Sequence, residues 1–267
     1  MHLKSESRKV KALKKIGSIA KRIFDIIFSI FVLLLLSPFL VIIAVGIRLD
    51  SSGPIFFGGE RVGIEGKPFN ILKFRTMYEN LETYNGPKIT AQGDERITPL
   101  GKWLRETKIN ELPQFWNVLI GEMSLVGPRP EDPDFVEKWD EDARREILSV
   151  RPGITSPASI LYHSEEAMLN SGSLIETYQD KIMPDKIRLD QLYVRNNSPL
   201  LDIDVLFWTC VVLIPRMGSF EPPEQLLFIG PFSRFINRYM SWFFVDFIIT
   251  LTSFGVMGVI WRSIDEM

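Results

Sequence analysis

Residues 26–47, reading IIFSIFVLLLLSPFLVIIAVGI, run for 22 positions without a charge, between Lys21, Arg22 and Asp25 on one side and Arg48 and Asp50 on the other. At about 1.5 Å per helical residue the stretch is roughly 33 Å long, enough to cross the hydrocarbon of a bilayer. Its middle holds Ser37-Pro38. Proline deletes an i to i−4 hydrogen bond and collides with the preceding turn, and an unpaired carbonyl is costly in lipid, so this point needs a local partner such as the Ser37 hydroxyl. Two topologies are open. A straight span carries residues 50 onward to the far side, whereas a re-entrant helix turning at Ser37-Pro38 returns them to the side of the N-terminal tail. Residues 1–22 hold eight Lys/Arg against one Glu, a charge of +7 in a chain whose total is −2, so the remainder carries −9. The positive-inside bias puts that tail at the cytoplasmic face. The apolar run is too long for a removable signal peptide, and no small-residue cleavage site follows it.

The other 200-odd residues are rich enough in apolar side chains to build a core: 46% of the chain is hydrophobic and 12% aromatic, which excludes intrinsic disorder. One thiol, Cys210, excludes a disulfide framework, and with only His2 and His163 beside it a zinc site of the usual Cys/His kind is excluded too. Any metal must then be held by oxygen. From Gly53 to Phe135, short alternating segments (54–57, 69–74) predict strands or extended segments, and residues 99–106 and 111–123 predict helices. An acidic, mostly helical stretch follows Arg151-Pro152-Gly153 and breaks at Asn196-Asn197-Ser198-Pro199. Leu201–Ile214 is apolar but too short to span a membrane, so it reads as a buried or interfacial helix stopped by Pro215. Residues 239–261 form a second membrane-length run, interrupted only by Asp246, which is expected near the interface or facing a partner helix.

Three signals bear on chemistry. Asn110 suits an N-cap with Pro113 in the first turn, which would place Asn110 and Glu111 at a helix start, where free N–H groups and a partial positive charge favour phosphate. Arg129 stands between Pro128 and Pro130, so its guanidinium direction is set in advance, as a two-pronged phosphate contact requires. Lys73 and Arg75 alternate with apolar residues, and on a strand they would share one face, two cations suited to a diphosphate. Each signal alone has a structural reading: a cap, a rigid turn, a solvated edge.

Taken in order, they resemble one family. Lys21-Arg22-Ile23-Phe24-Asp25, Ser37-Pro38, Gly53-Pro54-Ile55-Phe56, Arg61-Val62-Gly63, Lys73-Phe74-Arg75-Thr76-Met77, Asp94 with Arg96-Ile97-Thr98, Gly101-Lys102-Trp103-Leu104-Arg105, Asn110-Glu111-Leu112-Pro113-Gln114, Asn117-Val118-Leu119, Gly127-Pro128-Arg129-Pro130 and Arg151-Pro152-Gly153-Ile154-Thr155 are similar in type and spacing to the bacterial sugar transferases, the monotopic polyprenyl-phosphate phosphoglycosyl transferases. The resemblance covers roughly residues 20–215. It implies an α/β fold: a small membrane-associated globular domain (50–220) behind a basic cytoplasmic tail (1–22) and a re-entrant membrane helix (23–49), with amphipathic interfacial helices and, outside the likeness, a C-terminal transmembrane segment (231–267). It implies transfer of a phosphosugar from a UDP-sugar to undecaprenyl phosphate with release of UMP, initiating glycoconjugate synthesis at the cytoplasmic face of the bacterial inner membrane. Magnesium is the implied cofactor, and membrane lipids and a homodimer are the further partners expected, with no nucleic acid.

By the resemblance Glu111 is the magnesium ligand, while Lys73, Arg75, Arg105, Arg129 and Arg151 hold phosphate or order the site. The chain departs from the family at one catalytic position: Asn110 stands where the family has its nucleophilic aspartate. A carboxamide is a far poorer nucleophile than a carboxylate. Either Asp94 or Asp132 attacks instead, or the acceptor phosphate attacks directly, or the chain is a catalytically silent member that binds or scaffolds. The chain also continues Ser156-Pro157-Ala158-Ser159-Ile160 where many relatives have a different loop, which leaves the sugar undetermined. The last helix resembles the opening of a membrane domain that joins some relatives to a nucleotide-sugar dehydratase; a plain anchor is the alternative.

Overall fold

The structure, a computed structural model, describes residues 2–79, 90, 93–163, 165, 176, 178–214 and 222–265. A first helix, α1, runs without interruption from His2 to Asp50 and contains Pro38. The expected boundary between tail and membrane helix therefore falls inside α1. The Ser37 hydroxyl donates to the Leu34 carbonyl at 2.8 Å, so the local partner demanded by the proline is present. Ile30, Phe31, Leu34, Leu35, Val41 and Ile42 are exposed around this point. Either side of it, α1 is fastened to the globular part of the chain. On the N-terminal side the Asp25 carboxylate accepts from Ser124 Oγ at 2.8 Å and from the Leu125 N–H, and the Arg22 guanidinium donates to the carbonyls of Val118 and Leu119 at 2.6 and 3.0 Å. On the C-terminal side Ile43 and Ile47 are buried with Phe74 and Leu104.

The 69–74 segment forms a strand as expected, whereas the first strand begins only at Phe56, inside the 54–57 segment, and runs on to Val62. β1 (Phe56–Val62) pairs antiparallel with β2 (Pro68–Phe74), Phe56 opposite Phe74 and Val62 opposite Pro68, across a turn in which Glu65 takes φ 58°. α2 (Pro99–Glu106) starts where expected, Thr98 capping it by accepting from the Gly101 N–H. The predicted 111–123 helix does not form as one piece. Lys108 turns left-handed at φ 57°, a 3-10 turn covers Ile109–Glu111, and α3 begins only at Gln114 and ends at Ile120. Asn110 is thus not an N-cap: Pro113 holds that position, and the turn before it takes Asn110 inward, where it is buried. Gly121 closes α3 at φ 98°, a conformation open to glycine at no steric cost.

β3 (Ser124–Val126) runs parallel to β4 (Gly153–Thr155). The two strands meet at Gly127 and Gly153, where a Cβ on either would strike the other's main chain. Between them lie α4 (Pro133–Val136) and α5 (Glu141–Ile147), and α6 (Pro157–Leu161) follows. Part of the acidic helical stretch, and Pro215, lie outside the described residues. α7 (Met183–Asn196) ends at the predicted break, and α8 (Pro199–Leu213) starts on a Ser198 cap. One face of α8, with Leu201, Val205, Trp208 and Val212, enters the main core beside Phe69, Ile71, Val118 and Met123; the other exposes Ile203, Phe207, Cys210 and Leu213.

Beyond α8 the chain docks back onto the core. Leu227 of α9 (Glu224–Phe228) is fully buried, and Trp208 Nε1 donates to the Leu226 carbonyl at 2.9 Å. Buried Asp204 accepts from the Phe232 and Ser233 N–H groups and the Ser233 hydroxyl at the start of α10 (Pro231–Phe235), and a side chain at Gly230 would collide with its carboxyl. α11 (Ser241–Asp265) continues the chain. Among the described residues two helical stretches, Gly17–Asp50 and Pro231–Met257, are long and apolar enough to cross a membrane. Helices thus dominate around two small sheets, a helix-rich form of the mixed fold expected.

Candidate active site

Glu111, at the end of the 3-10 turn, is the meeting point of two cations from separate elements. Lys73, next to last in β2, places Nζ 3.0 Å from Oε1. Arg129, in the loop after β3, grips the same carboxylate with both terminal nitrogens, Nη2 at 2.7 Å from Oε1 and Nη1 at 3.3 Å from Oε2. The three side chains keep 14–28% of their surface exposed, so the cluster is half-buried yet open to a ligand. Burial alone would raise the Glu111 carboxyl, but Arg129 and Lys73 hold it well below the usual carboxylate range. Burial pushes the Lys73 ammonium down to about 8, against the pull of Glu111. Glu111 and, to a lesser degree, burial act in opposite senses on Arg129, and its pKa is raised.

The Gly127-Pro128-Arg129-Pro130 loop is tied from two directions. From β4, Gly153 N donates to the Pro128 carbonyl at 2.8 Å while Gly127 N donates to the Thr155 carbonyl at 3.0 Å. From α7, Lys186, Asp190 and Tyr193 face the segment 126–131. The sequence reading missed these residues and Glu131. A signal existed: Lys186, Asp190 and Tyr193 fall at i, i+4 and i+7 with Leu189 beside them, so a helix burying Leu189 turns two charges inward.

The other predicted residues lie elsewhere. Arg75 does not share the Lys73 face. It follows β2, and its guanidinium donates to the carbonyls of Ser51 and Ser52 at 2.8 and 2.5 Å, capping the end of α1. Arg151 Nε donates to the Gly121 carbonyl at 2.9 Å, so with Arg22 it covers the free carbonyls at the end of α3. Arg105 reaches the Thr76 hydroxyl at 3.3 Å. Asp94 is held by Arg96 through Nε and Nη2, at 2.9 and 2.6 Å, and Asp132 caps α4 by accepting from the Asp134 N–H, with Arg61 at 3.6 Å. Asn110 Oδ1 and both polar atoms of the Gln114 side chain are buried without a hydrogen-bond partner.

Among the described residues no group of three or more His, Cys, Asp and Glu side chains is placed to hold a metal. Glu111 contributes a single hard oxygen donor group. That suits magnesium, which commonly takes one or two carboxylates and completes its shell with substrate phosphates and water.

This arrangement can neutralise and orient a phosphorylated ligand between two cations and one carboxylate. Comparison with known proteins gives the family. The family model described as "Bacterial sugar transferase" matches residues 16–216. Over 204 residues the chain is 37% identical to an undecaprenyl-phosphate glucose phosphotransferase of Komagataeibacter xylinus, covering 74% of this chain and 36% of that protein. It is 38% identical to a UDP-glucose:undecaprenyl-phosphate glucose-1-phosphate transferase of Klebsiella pneumoniae, covering 74% and 40%. The chain thus spans about two fifths of the length of these relatives. It is 34% identical to the exopolysaccharide production protein ExoY of Sinorhizobium fredii, covering 78% of this chain and 92% of that one. The match takes in α1 from residue 16 onward, both sheets and the cluster on Glu111, and the chain belongs to the bacterial sugar transferase family.

Proposed function

We propose that this chain moves a phosphosugar from a UDP-sugar to undecaprenyl phosphate, releasing UMP, as the opening step of glycoconjugate assembly. The observation that carries this reading is the shared carboxylate: Lys73 and Arg129, from different elements, converge on Glu111 in a half-buried setting. A diphosphate entering there meets two cations already aimed at one point. Transfer through a loose, metaphosphate-like transition state requires chiefly such positioning and charge neutralisation.

Asn110 gives no carboxylate for a covalent intermediate, and the nearest substitutes in sequence, Asp94 and Asp132, are engaged by Arg96 and by the α4 cap with Arg61. The step we favour is direct. An oxygen of the acceptor phosphate attacks the β-phosphorus of the UDP-sugar, the bond from that phosphorus to the bridging oxygen breaks, and the electron pair leaves with UMP. Lys73 and Arg129 exchange Glu111 oxygens for phosphate oxygens as charge develops. Magnesium, when bound, would neutralise the diphosphate, with Glu111 as the residue to hold it.

The membrane reading is a cytoplasmic-face enzyme on the inner membrane with a re-entrant α1. Its support is that Arg22 and Asp25 before Pro38, and Ile43 and Ile47 after it, fasten to the same globular body. A straight bilayer-crossing helix would separate those flanks by about 30 Å of lipid. The exposed apolar face of α8 is suited to the interface beside it.

The test is UMP release from a panel of UDP-sugars with magnesium and undecaprenyl phosphate. Release that depends on Glu111 supports transfer. Absence of release with every donor favours the other reading, a silent member that binds polyprenyl phosphate or a partner enzyme, for which the buried Asn110 carboxamide is the specific observation.

A further inference from the structure

α7 turns three polar side chains toward the loop that carries Arg129, and each meets a different point of it. Lys186 Nζ lies 3.1 Å from Glu131 Oε1 and 3.1 Å from Glu165 Oε2, with the Tyr178 hydroxyl also at 3.1 Å. The buried Asp190 carboxyl lies close enough to the Arg129 main chain and the Ser156 side chain for both to lower its pKa against the effect of burial. The Tyr193 hydroxyl lies 3.1 Å from the Val126 carbonyl oxygen and donates to Asp202 Oδ1 at 2.7 Å. All three residues are buried, at 2–5% exposure, and Asp190 Oδ1 has no hydrogen-bond partner. A buried carboxylate with a free oxygen costs stability, where a neutral side chain of the same shape would cost less.

We propose that the Lys186, Asp190 and Tyr193 face of α7 is a positioning wall for Arg129, fixing the main chain from Val126 to Glu131 so that the guanidinium is delivered to Glu111 and to the phosphate that displaces it. This rests on the transfer reading for its catalytic consequence, while the mechanical part stands apart from it. The three side chains approach the segment at the Val126 carbonyl, at the Arg129 main chain and at the Glu131 side chain two residues further on. Two prolines stiffen the loop, but a stiff loop still pivots as a unit unless both its ends are held. β4 holds the inner edge through Gly127 and Pro128, and α7 supplies the outer restraint. None of the three side chains touches Glu111, so they act on the site through Arg129.

The test uses the full chain in lipid vesicles or detergent, with Asp190→Asn, Tyr193→Phe and Lys186→Met compared with wild type and with Lys186→Arg. Phenylglyoxal labelling of Arg129, read by peptide mass spectrometry, reports the freedom of that guanidinium without requiring activity. Arg145, which is 73% exposed, is the internal control. Asp190→Asn and Tyr193→Phe are close in shape to the native residues, and labelling is expected to rise about fivefold at Arg129 and to stay constant at Arg145. In the UMP-release assay with UDP-glucose or UDP-galactose, KM for the donor is expected to rise about tenfold with kcat within threefold, the signature of a displaced binding group. Lys186→Met should behave in the same way and Lys186→Arg should recover most of the loss. Arg129 labelling within twofold of wild type in both Asp190→Asn and Tyr193→Phe overturns the proposal. A wild-type chain that releases no UMP from any donor removes the transfer reading, and the labelling result then still decides whether α7 positions Arg129.

Discussion

Arg129 holds Glu111 with both terminal nitrogens, at 2.7 and 3.3 Å, while Lys73 shares the nearer oxygen at 3.0 Å. One carboxylate therefore organises two cations drawn from a hairpin strand and from a proline-bounded loop. Replacing it leaves Lys73 and Arg129 facing each other with no anion between them. Glu111→Ala is expected to lower UMP release by at least about a hundredfold, the scale of losing one preorganised charge at a transfer site. Its melting temperature should fall by only a few degrees, because the cations keep access to water. Initial rates and thermal unfolding on the same preparation check both parts.

Asn110→Asp places a carboxylate where the turn Ile109–Glu111 already points inward. Activity is expected to be retained or to rise, by up to about tenfold, with a second route opened through an acyl-phosphate. Intact-protein mass spectrometry should then show a phosphosugar adduct on the variant and none on the native chain. An adduct on the native chain would identify a substitute nucleophile and remove the direct step.

Burial raises the Asp190 carboxyl to about 7, with Glu131 adding to burial and Lys186 opposing them. An unfolded aspartate titrates near 4, so between about pH 4 and 7 the folded chain keeps a proton the unfolded chain has lost. The stability tied to that proton is complete below about pH 4 and declines as pH rises to 7. Asp190→Asn lacks the decline. Its melting temperature relative to wild type should move in the variant's favour by about 5 °C between pH 5 and pH 8. A constant difference across that range contradicts the assignment.

Asp204 ties the start of α10 to α8 through two N–H groups and a hydroxyl. Asp204→Ala leaves those donors unpaired, and a loss of about 2 kcal/mol is expected. Gly230→Val, whose Cβ would strike the same carboxyl, should produce a loss of similar size. Denaturant unfolding of both variants measures it.

Much of this fold could be read in advance because local chemistry decided it. The strand pair at 56–74, the α2 start at Thr98-Pro99, the break before Pro199 and both apolar helices follow from alternation, caps and uninterrupted hydrophobicity. Of the site, Glu111, Lys73 and Arg129 were legible as a set. The error at Asn110 came from treating Pro113 as the first turn of a longer helix, whereas Lys108 in a left-handed conformation ends one element and a 3-10 turn intervenes. The strand alternation that gave Arg75 to a phosphate, and the resemblance that gave Arg151 to one, carry the residue type and its spacing and not the partner the side chain meets. Both arginines meet helix-end carbonyls. Lys186 and Asp190 stayed hidden because their role depends on a packing partner some 60 residues earlier in the chain.

The most direct measurement is UMP release by the full chain in vesicles containing undecaprenyl phosphate and magnesium, run against UDP-glucose, UDP-galactose and their N-acetylated counterparts, for the native chain and for Glu111→Ala. The expected result is acceptor-dependent release with at least one donor and its loss in Glu111→Ala. Release that persists undiminished in Glu111→Ala would show that the carboxylate joining Lys73 and Arg129 is not where the phosphosugar is transferred.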